Sequence, residues 1–160
     1  MLLFDFQPNS DLSNWYVVDD GVMGGRSQGG FRLDEDGHAV FSGKVSLENN
    51  GGFSSLRYYF REKEVSPYQK VVLRLKGDGK RYQFRVKSSR YDRASYIQYF
   101  TTNGEWQEIE IQLRDLYPTF RGRRLNRPNY PGEEMAEIAF LIGNKKAESF
   151  RLLIDKIELE

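Results

Sequence analysis

The chain has 160 residues, with 24 Lys plus Arg against 23 Asp plus Glu, 15 Gly, 11 Phe, 10 Tyr, one His and no Cys. That length fits one domain over residues 1–160, burying roughly 70% of its extended surface. Without cysteine there is no disulfide framework, thiolate zinc site, iron–sulfur cluster or cysteine nucleophile, and a single histidine leaves little for a His-ligated metal.

The chain opens on Met1-Leu-Leu-Phe-Asp5. This start lacks the basic head of a signal peptide and the arginine-rich character of a transit peptide, so a cytoplasmic protein is expected. From here on, short apolar-alternating runs dominate and almost no helical spacing is found, which predicts an all-β antiparallel sandwich or jelly roll. The first predicted strands are Leu3–Phe6 and Trp15–Val18.

Between Trp15 and Ser27 lies the most distinctive segment, with Asp19, Asp20, Gly21, Met23, Gly24, Gly25, Arg26 and Ser27 in close succession. Glycines let the backbone take positive φ and let other groups approach closely, so this loop is a candidate to present amide N–H groups to an anion. The competing reading is a structural loop with Met23 tucked into the core. The spacing matches neither the phosphate-loop pattern nor the dinucleotide fingerprint. Asp19 and Asp20 are adjacent, so in a strand they face opposite ways and make a poor glycosidase pair. His38 follows in the polar turn Asp34-Glu-Asp-Gly-His38, where a solvated loop histidine is expected. A calcium ion on Asp34 and Asp36 is conceivable, but their spacing does not establish one, and no metal site is assigned.

Strands are next predicted over Ala39–Val45 and Phe53–Phe60. The latter is preceded by Gly51 and Gly52 and places Leu56, Tyr58 and Phe60 on one face with Arg57 opposite. Val71 to Lys76 and Tyr82 to Lys87 alternate cleanly, and Gly77-Asp78-Gly79 between them reads as a hairpin. If these strands are neighbours, Arg57, Arg74, Arg81 and Arg85 share a wet face, with Tyr59 and Tyr82 nearby. Guanidinium groups grip carboxylate or phosphate in a fork and stack on rings, so that face is a candidate recognition surface. The alternative is a set of cross-strand ion pairs with Glu108 and Glu110. Between Lys70 and Arg127 stand fourteen basic and six acidic residues, a net +8, which favours an anionic ligand or an acidic partner surface.

Tyr96–Thr101 and the alternation of Ile109, Ile111 and Leu113 predict two further strands. Tyr117 to Arg127, with Phe120 and Arg121, reads as a long loop. Its arginines and rings suit a protein interface better than single-stranded nucleic acid, which needs several stacking rings along a groove. Pro131 to Glu137 is expected to form one or two helical turns, followed by strands over Ala139–Ile142 and Phe150–Ile157. The longest apolar stretch, Ile138 to Ile142, is far short of the roughly 20 residues of a membrane-spanning helix. No Ser-centred elbow or other catalytic constellation is found.

Asp20-Gly-Val-Met-Gly-Gly-Arg-Ser27, Phe41-Ser-Gly43, Asn49-Asn-Gly-Gly-Phe-Ser-Ser-Leu-Arg57, Leu75 to Tyr82, Trp106 and Phe120-Arg-Gly122, in this order, resemble the complex I intermediate-associated protein 30 family. The resemblance runs from about Phe4 to Ile157. It implies a galactose-binding-domain-like jelly roll and a chaperone-like role in assembling NADH:ubiquinone oxidoreductase, a mitochondrial role in the family's eukaryotic members. The expectation is therefore a non-enzymatic binding domain without a cofactor, whose partner is a protein and whose alternative ligand is a carbohydrate stacked on Trp15, Trp106 or tyrosines. A nucleotide or nucleic-acid ligand is the weakest idea, and no DNA is expected. The expected recognition surface comprises Asp20, Gly21, Met23, Gly24, Gly25, Ser27, Gly52, Phe53, Arg57, Arg81, Tyr82, Arg85, Phe120 and Arg121.

Overall fold

A computed structural model describes residues 1–23 and 25–160, without the side chains of Val22, Met23 and Asn50. The expectations placed on Gly24 and on the Met23 side chain lie outside the described residues. Alternation of apolar and polar residues resolves into thirteen strands: β1 Leu2–Asp5, β2 Trp15–Asp19, β3 Gln28–Leu33, β4 Ala39–Val45, β5 Ser54–Glu64, β6 Lys70–Lys76, β7 Arg81–Lys87, β8 Ser95–Thr101, β9 Trp106–Gln112, β10 Tyr117–Phe120, β11 Arg123–Arg124, β12 Glu134–Ile142 and β13 Glu148–Leu159. All pairings are antiparallel, which lets each sheet keep one dry and one wet face.

One sheet runs β3-β4-β13-β6-β9, and the long β13 also pairs with β1. The other runs β11-β10-β8-β7-β12-β5-β2. Their inner faces meet in a continuous core in which Phe41 packs on Phe150 and Phe84 on Phe140, with centroids 4.8 and 5.7 Å apart. At one end Trp15 lies flat on Tyr58, with Phe4, Phe6 and Phe31 around it.

The structure corrects three sequence readings. Gly77-Asp78-Gly79 is no hairpin: β6 and β7 belong to different sheets, so the segment carries the chain across the sandwich. The crossing is fixed by Asp78, whose carboxylate accepts from the Tyr82 hydroxyl at 2.9 Å, the Arg151 amide at 2.8 Å and the Lys80 ammonium at 3.2 Å. Burial and this neighbouring carboxylate push the Tyr82 phenol far up. An Asp-Gly pair supplies the same reversal whether strands pair or part, which is why local sequence does not distinguish the two.

Residues 117–127 are not a long loop but begin as the tight hairpin β10–β11, with Phe120 opposite Arg123. Its two turn residues, Arg121 and Gly122, have φ of 50° and 78°, the positive pair that a two-residue reversal needs. Residues 134–137 are not helical: β12 starts at Glu134, its register against β5 shifts by two near Met135 where β5 carries the extra residues, and burial on both faces leaves β12 little alternation to read.

Asp78→Ala should destabilise the fold by about 2 kcal/mol in chemical denaturation, because it strands the Tyr82 hydroxyl and a main-chain N–H. Asp78→Asn should cost less, and an unchanged midpoint for Asp78→Ala would show that the crossing is held by other contacts.

Candidate functional site

The site is built on the outer face of the seven-stranded sheet. Side chains alternate along each strand, so register decides which ones share this face. One row across the strands reads Tyr16, Arg57, Ala139, Arg85, Ile97, Tyr117, and the next reads Val18, Ser55, Leu141, Gln83, Tyr99. The central strand β12 is buried at nearly every position, on its outer side too, where Leu141 lines a concavity and Ala139 lies between Arg57 and Arg85.

That concavity is a cleft of about 470 Å³. Its floor is Arg57, Gln83, Arg85, Lys87 and Leu141, and the Phe120-Arg121-Gly122 turn, with Arg93 and Ser95, forms one wall. Opposite stand Val18, Asp20, Gly51, Gly52 and Phe53. A second hollow of about 240 Å³ shares Gln83, Arg85 and Gly122 with the first and adds Ile97, Tyr99, Tyr117, Thr119 and Arg124. Together the hollows make a trough running across the strands, with Arg85 at the seam.

The cations of this trough are short of carboxylates. Among the described residues, no Asp or Glu oxygen lies within 4.0 Å of the charged nitrogens of Arg57, Arg85, Lys87, Arg93, Arg121 or Arg124. Arg57 donates from Nε to the Ser55 hydroxyl at 3.3 Å and Arg85 donates to Gln83 Oε1 at 2.8 Å, both neutral acceptors. Burial pulls the Arg85 guanidinium down to about 10, the like charge of Arg57 adds to the effect, and Tyr99 and Glu137 oppose it. Glu137, one row along, accepts from the Tyr16 hydroxyl at 2.7 Å; burial and that bond push the Tyr16 phenol up to about 12.

The one carboxylate in the wall is saturated. Asp20, 1% exposed, accepts from the Ser27 amide and hydroxyl and from the amides of Gly52 and Phe53. Burial alone would raise its carboxyl, but these four bonds outweigh it and hold the group below its ordinary value of 3.8. A Cβ at Gly25 or Gly51 would collide with this carboxylate, so glycine is required at both. The glycine segment thus cradles an anion, but the anion belongs to the chain. The structural reading of the loop holds at Asp20, and Ser27 serves it from within the fold, 4% exposed.

Of the expected surface, the cleft brings together Asp20, Gly52, Phe53, Arg57, Arg85, Phe120 and Arg121. Gly21 is exposed outside it. Tyr82 is 1% exposed and points into the core, one step out of phase with Arg81 and Gln83. Arg81 sits at the strand end, its guanidinium 4.1 Å from the centre of the Tyr99 ring. Arg74 belongs to the other sheet, against Asp155 and Trp106, and Glu108 and Glu110 are there too, opposite Arg74 and Val72, so they do not neutralise the cleft. The tryptophans expected to hold sugars are elsewhere: Trp15 is in the core and Trp106 packs against His38 on the opposite sheet. His38 is only partly exposed, wedged between Asp34 and Asp155. Missed from sequence were Lys87, Arg93 and Arg124. Lys87 shares the parity of Arg85 and was readable, whereas Arg93 and Arg124 depend on where the hairpin folds.

Residues 4–154 match the family described as Complex I intermediate-associated protein 30. Complex I intermediate-associated protein 30, mitochondrial, of Mus musculus is 23% identical over 179 aligned positions, covering 98% of this chain and 55% of the mouse protein. The chain thus spans about half the length of that relative. Among solved structures, a family 11 carbohydrate-binding module of a cellulosomal cellulase of Clostridium thermocellum superposes with a TM-score of 0.69 at 16% identity over 99% of this chain and 92% of the module. The same organism's family 11 module in complex with a β-1,3-1,4-mixed-linked tetrasaccharide gives 0.67 at 18% identity over 99% and 93%. These likenesses show the jelly-roll β-sandwich fold expected from sequence.

Asp20→Ala should cost about 3 kcal/mol, since it leaves several buried donors without an acceptor. With its folded pKa depressed, Asp20 contributes stability that is fully present above the unfolded value and is lost as pH falls through the folded one. Denaturation at a series of acidic pH values should therefore show a loss in the native protein that the variant lacks, and parallel pH curves would refute this.

Proposed function

This chain belongs to the complex I intermediate-associated protein 30 family, and from that premise we propose that it is a non-enzymatic binding domain acting on a protein partner, an assembly factor for respiratory NADH:ubiquinone oxidoreductase. The observation that carries the reading is the cleft over Arg57, Arg85 and Leu141, whose lining is largely cationic and apolar. Its one lining carboxylate, Asp20, is tied up by the chain's own donors, and neither the cleft nor the adjoining hollow contains histidine. Such a lining suits recognition by charge and shape, where arginine and aromatic residues carry most of the energy of protein interfaces. The surface comprises Phe53, Arg57, Arg85, Phe120 and Arg121, with Asp20 and Gly52 holding the wall in place. None of the described helices is long and apolar enough to cross a membrane.

A neutral glycan is the second reading. It is supported by the concavity itself and by Tyr99 and Tyr117, which both line the second hollow. Those rings already carry guanidinium groups, Arg81 at 4.1 Å and Arg124 at 4.4 Å from the ring centres, which a stacked sugar would have to displace.

Used as bait in extracts of respiring membranes, the protein should enrich subunits or intermediates of the oxidoreductase, and Arg57→Ala with Arg85→Ala should lose them. Retention of all of them by the double variant would overturn the assignment of this surface. Calorimetric titration with the mixed-linked tetrasaccharide should give no heat, and saturable binding would favour the second reading.

A further inference from the structure

The cleft carries an imbalance that points to the chemistry of what enters it. Two arginines, Arg57 and Arg85, face the same side of one row and are separated only by Ala139 on the strand between them. Two strand spacings put their backbones about 10 Å apart, close enough for both side chains to converge on one oxyanion above the small alanine. Within the fold each has only a neutral acceptor, and the like charge of Arg57 weighs on Arg85. A carboxylate between them would replace repulsion with two charge-assisted bonds, roughly twice as strong as neutral ones.

The surroundings narrow the choice of anion. Apolar surfaces stand beside the pair: Leu141 in the next row, Val18 and Phe53 on one wall and Phe120 on the other. The trough continues past Arg85 into the second hollow toward Arg124, so it is elongated rather than a closed pit for a compact ion. A nucleic-acid strand would need free rings to stack bases. Here Tyr99 and Tyr117 are covered by Arg81 and Arg124, and Phe120 has the guanidinium groups of Arg93 and Arg121 5.3 Å from its ring centre. An extended peptide can lay a carboxylate and apolar side chains along such a trough through its backbone length.

We propose that the trough takes an extended acidic segment of the protein partner, an aspartate or glutamate carboxylate entering between Arg57 and Arg85 while apolar neighbours pack on Leu141, Val18 and Phe53. The proposal rests on the protein-partner reading and names what that partner presents.

The test uses fluorescence anisotropy of the full chain with a labelled peptide of alternating leucine and glutamate and its counterpart with glutamine for every glutamate. The acidic peptide should bind, with affinity falling as salt rises, and the glutamine peptide should bind about tenfold more weakly or worse. Arg57→Gln with Arg85→Gln should reduce acidic-peptide binding to the glutamine level. Lys156→Gln, on the opposite sheet and paired there with Glu158, should leave it unchanged. Equal binding of the two peptides, binding of neither, or full binding by the double variant would overturn the proposal. So would tighter binding of a thymidine oligonucleotide lost by the same substitutions, which would assign the trough to nucleic acid. The peptide pair is compared on the unaltered protein, so the result does not depend on any variant folding. If both peptides fail while the Arg57 and Arg85 substitutions still remove oxidoreductase subunits from the bait, the acidic segment is wrong and the partner reading stands.

Discussion

A single buried carboxylate ties the two layers together at the mouth of the cleft. Asp20 closes the end of β2, reaches the amides at the start of β5 in the same sheet, and holds Ser27 at the entrance to β3 in the other. The Ser27 hydroxyl in turn accepts from the Ser46 amide just after β4, so one carboxylate organises the ends of four strands. Asp19 does the adjoining work, accepting from the Gly29 amide and the Ser54 hydroxyl. Asp19 ends β2 and Asp20 opens the 3-10 turn that follows, and between them the two acids lock one rim of the trough. Arg57 and Arg85 then stand on a floor whose wall is fixed.

This arrangement separates two kinds of charge. On the other sheet the outer face is compensated: Lys70 meets Glu110, Arg74 meets Asp155, and Lys156 meets Glu158. Exposed pairs of that kind contribute little to stability and mainly keep a wet face soluble. Among the described residues, the outer face of the seven-stranded sheet has no such ladder near Arg57 and Arg85. Both faces were built from the same alternation of apolar and basic residues, so the difference arises from which acids the fold brings alongside. The basic middle third of the sequence is divided accordingly, with Lys70, Arg74 and Lys76 on β6 in one sheet and Arg85 and Lys87 on β7 in the other.

Strand periodicity carried most of the fold into view. Ala39–Val45 and Arg81–Lys87 stand where alternation puts them, and the jelly roll follows from their number and spacing. What stayed hidden were the non-local facts. The turn at Gly77 to Gly79 has the same local chemistry whether it joins partners or crosses between layers. β3 was unreadable because Gly29 and Gly30 offer no side chains to alternate, and the β10–β11 hairpin because its strands span only Tyr117–Phe120 and Arg123–Arg124. For the site, the parity of Arg57 and Arg85 on their strands was legible, but their juxtaposition was not: it requires β12 to insert between β5 and β7 with Ala139 in register with both.

The small size of Ala139 is the step that joins fold to recognition. A large side chain at that central position would fill the floor between the two guanidinium groups and screen each from the other. A carboxylate there would neutralise them from within. With alanine, the sheet keeps its ladder hydrogen bonds while the concavity stays open, and the repulsion between the arginines is left for a ligand to relieve. An acidic group entering there would meet two guanidinium groups that have neutral acceptors within the fold. Binding of that kind is governed by the charge of the incoming group more than by the area it covers.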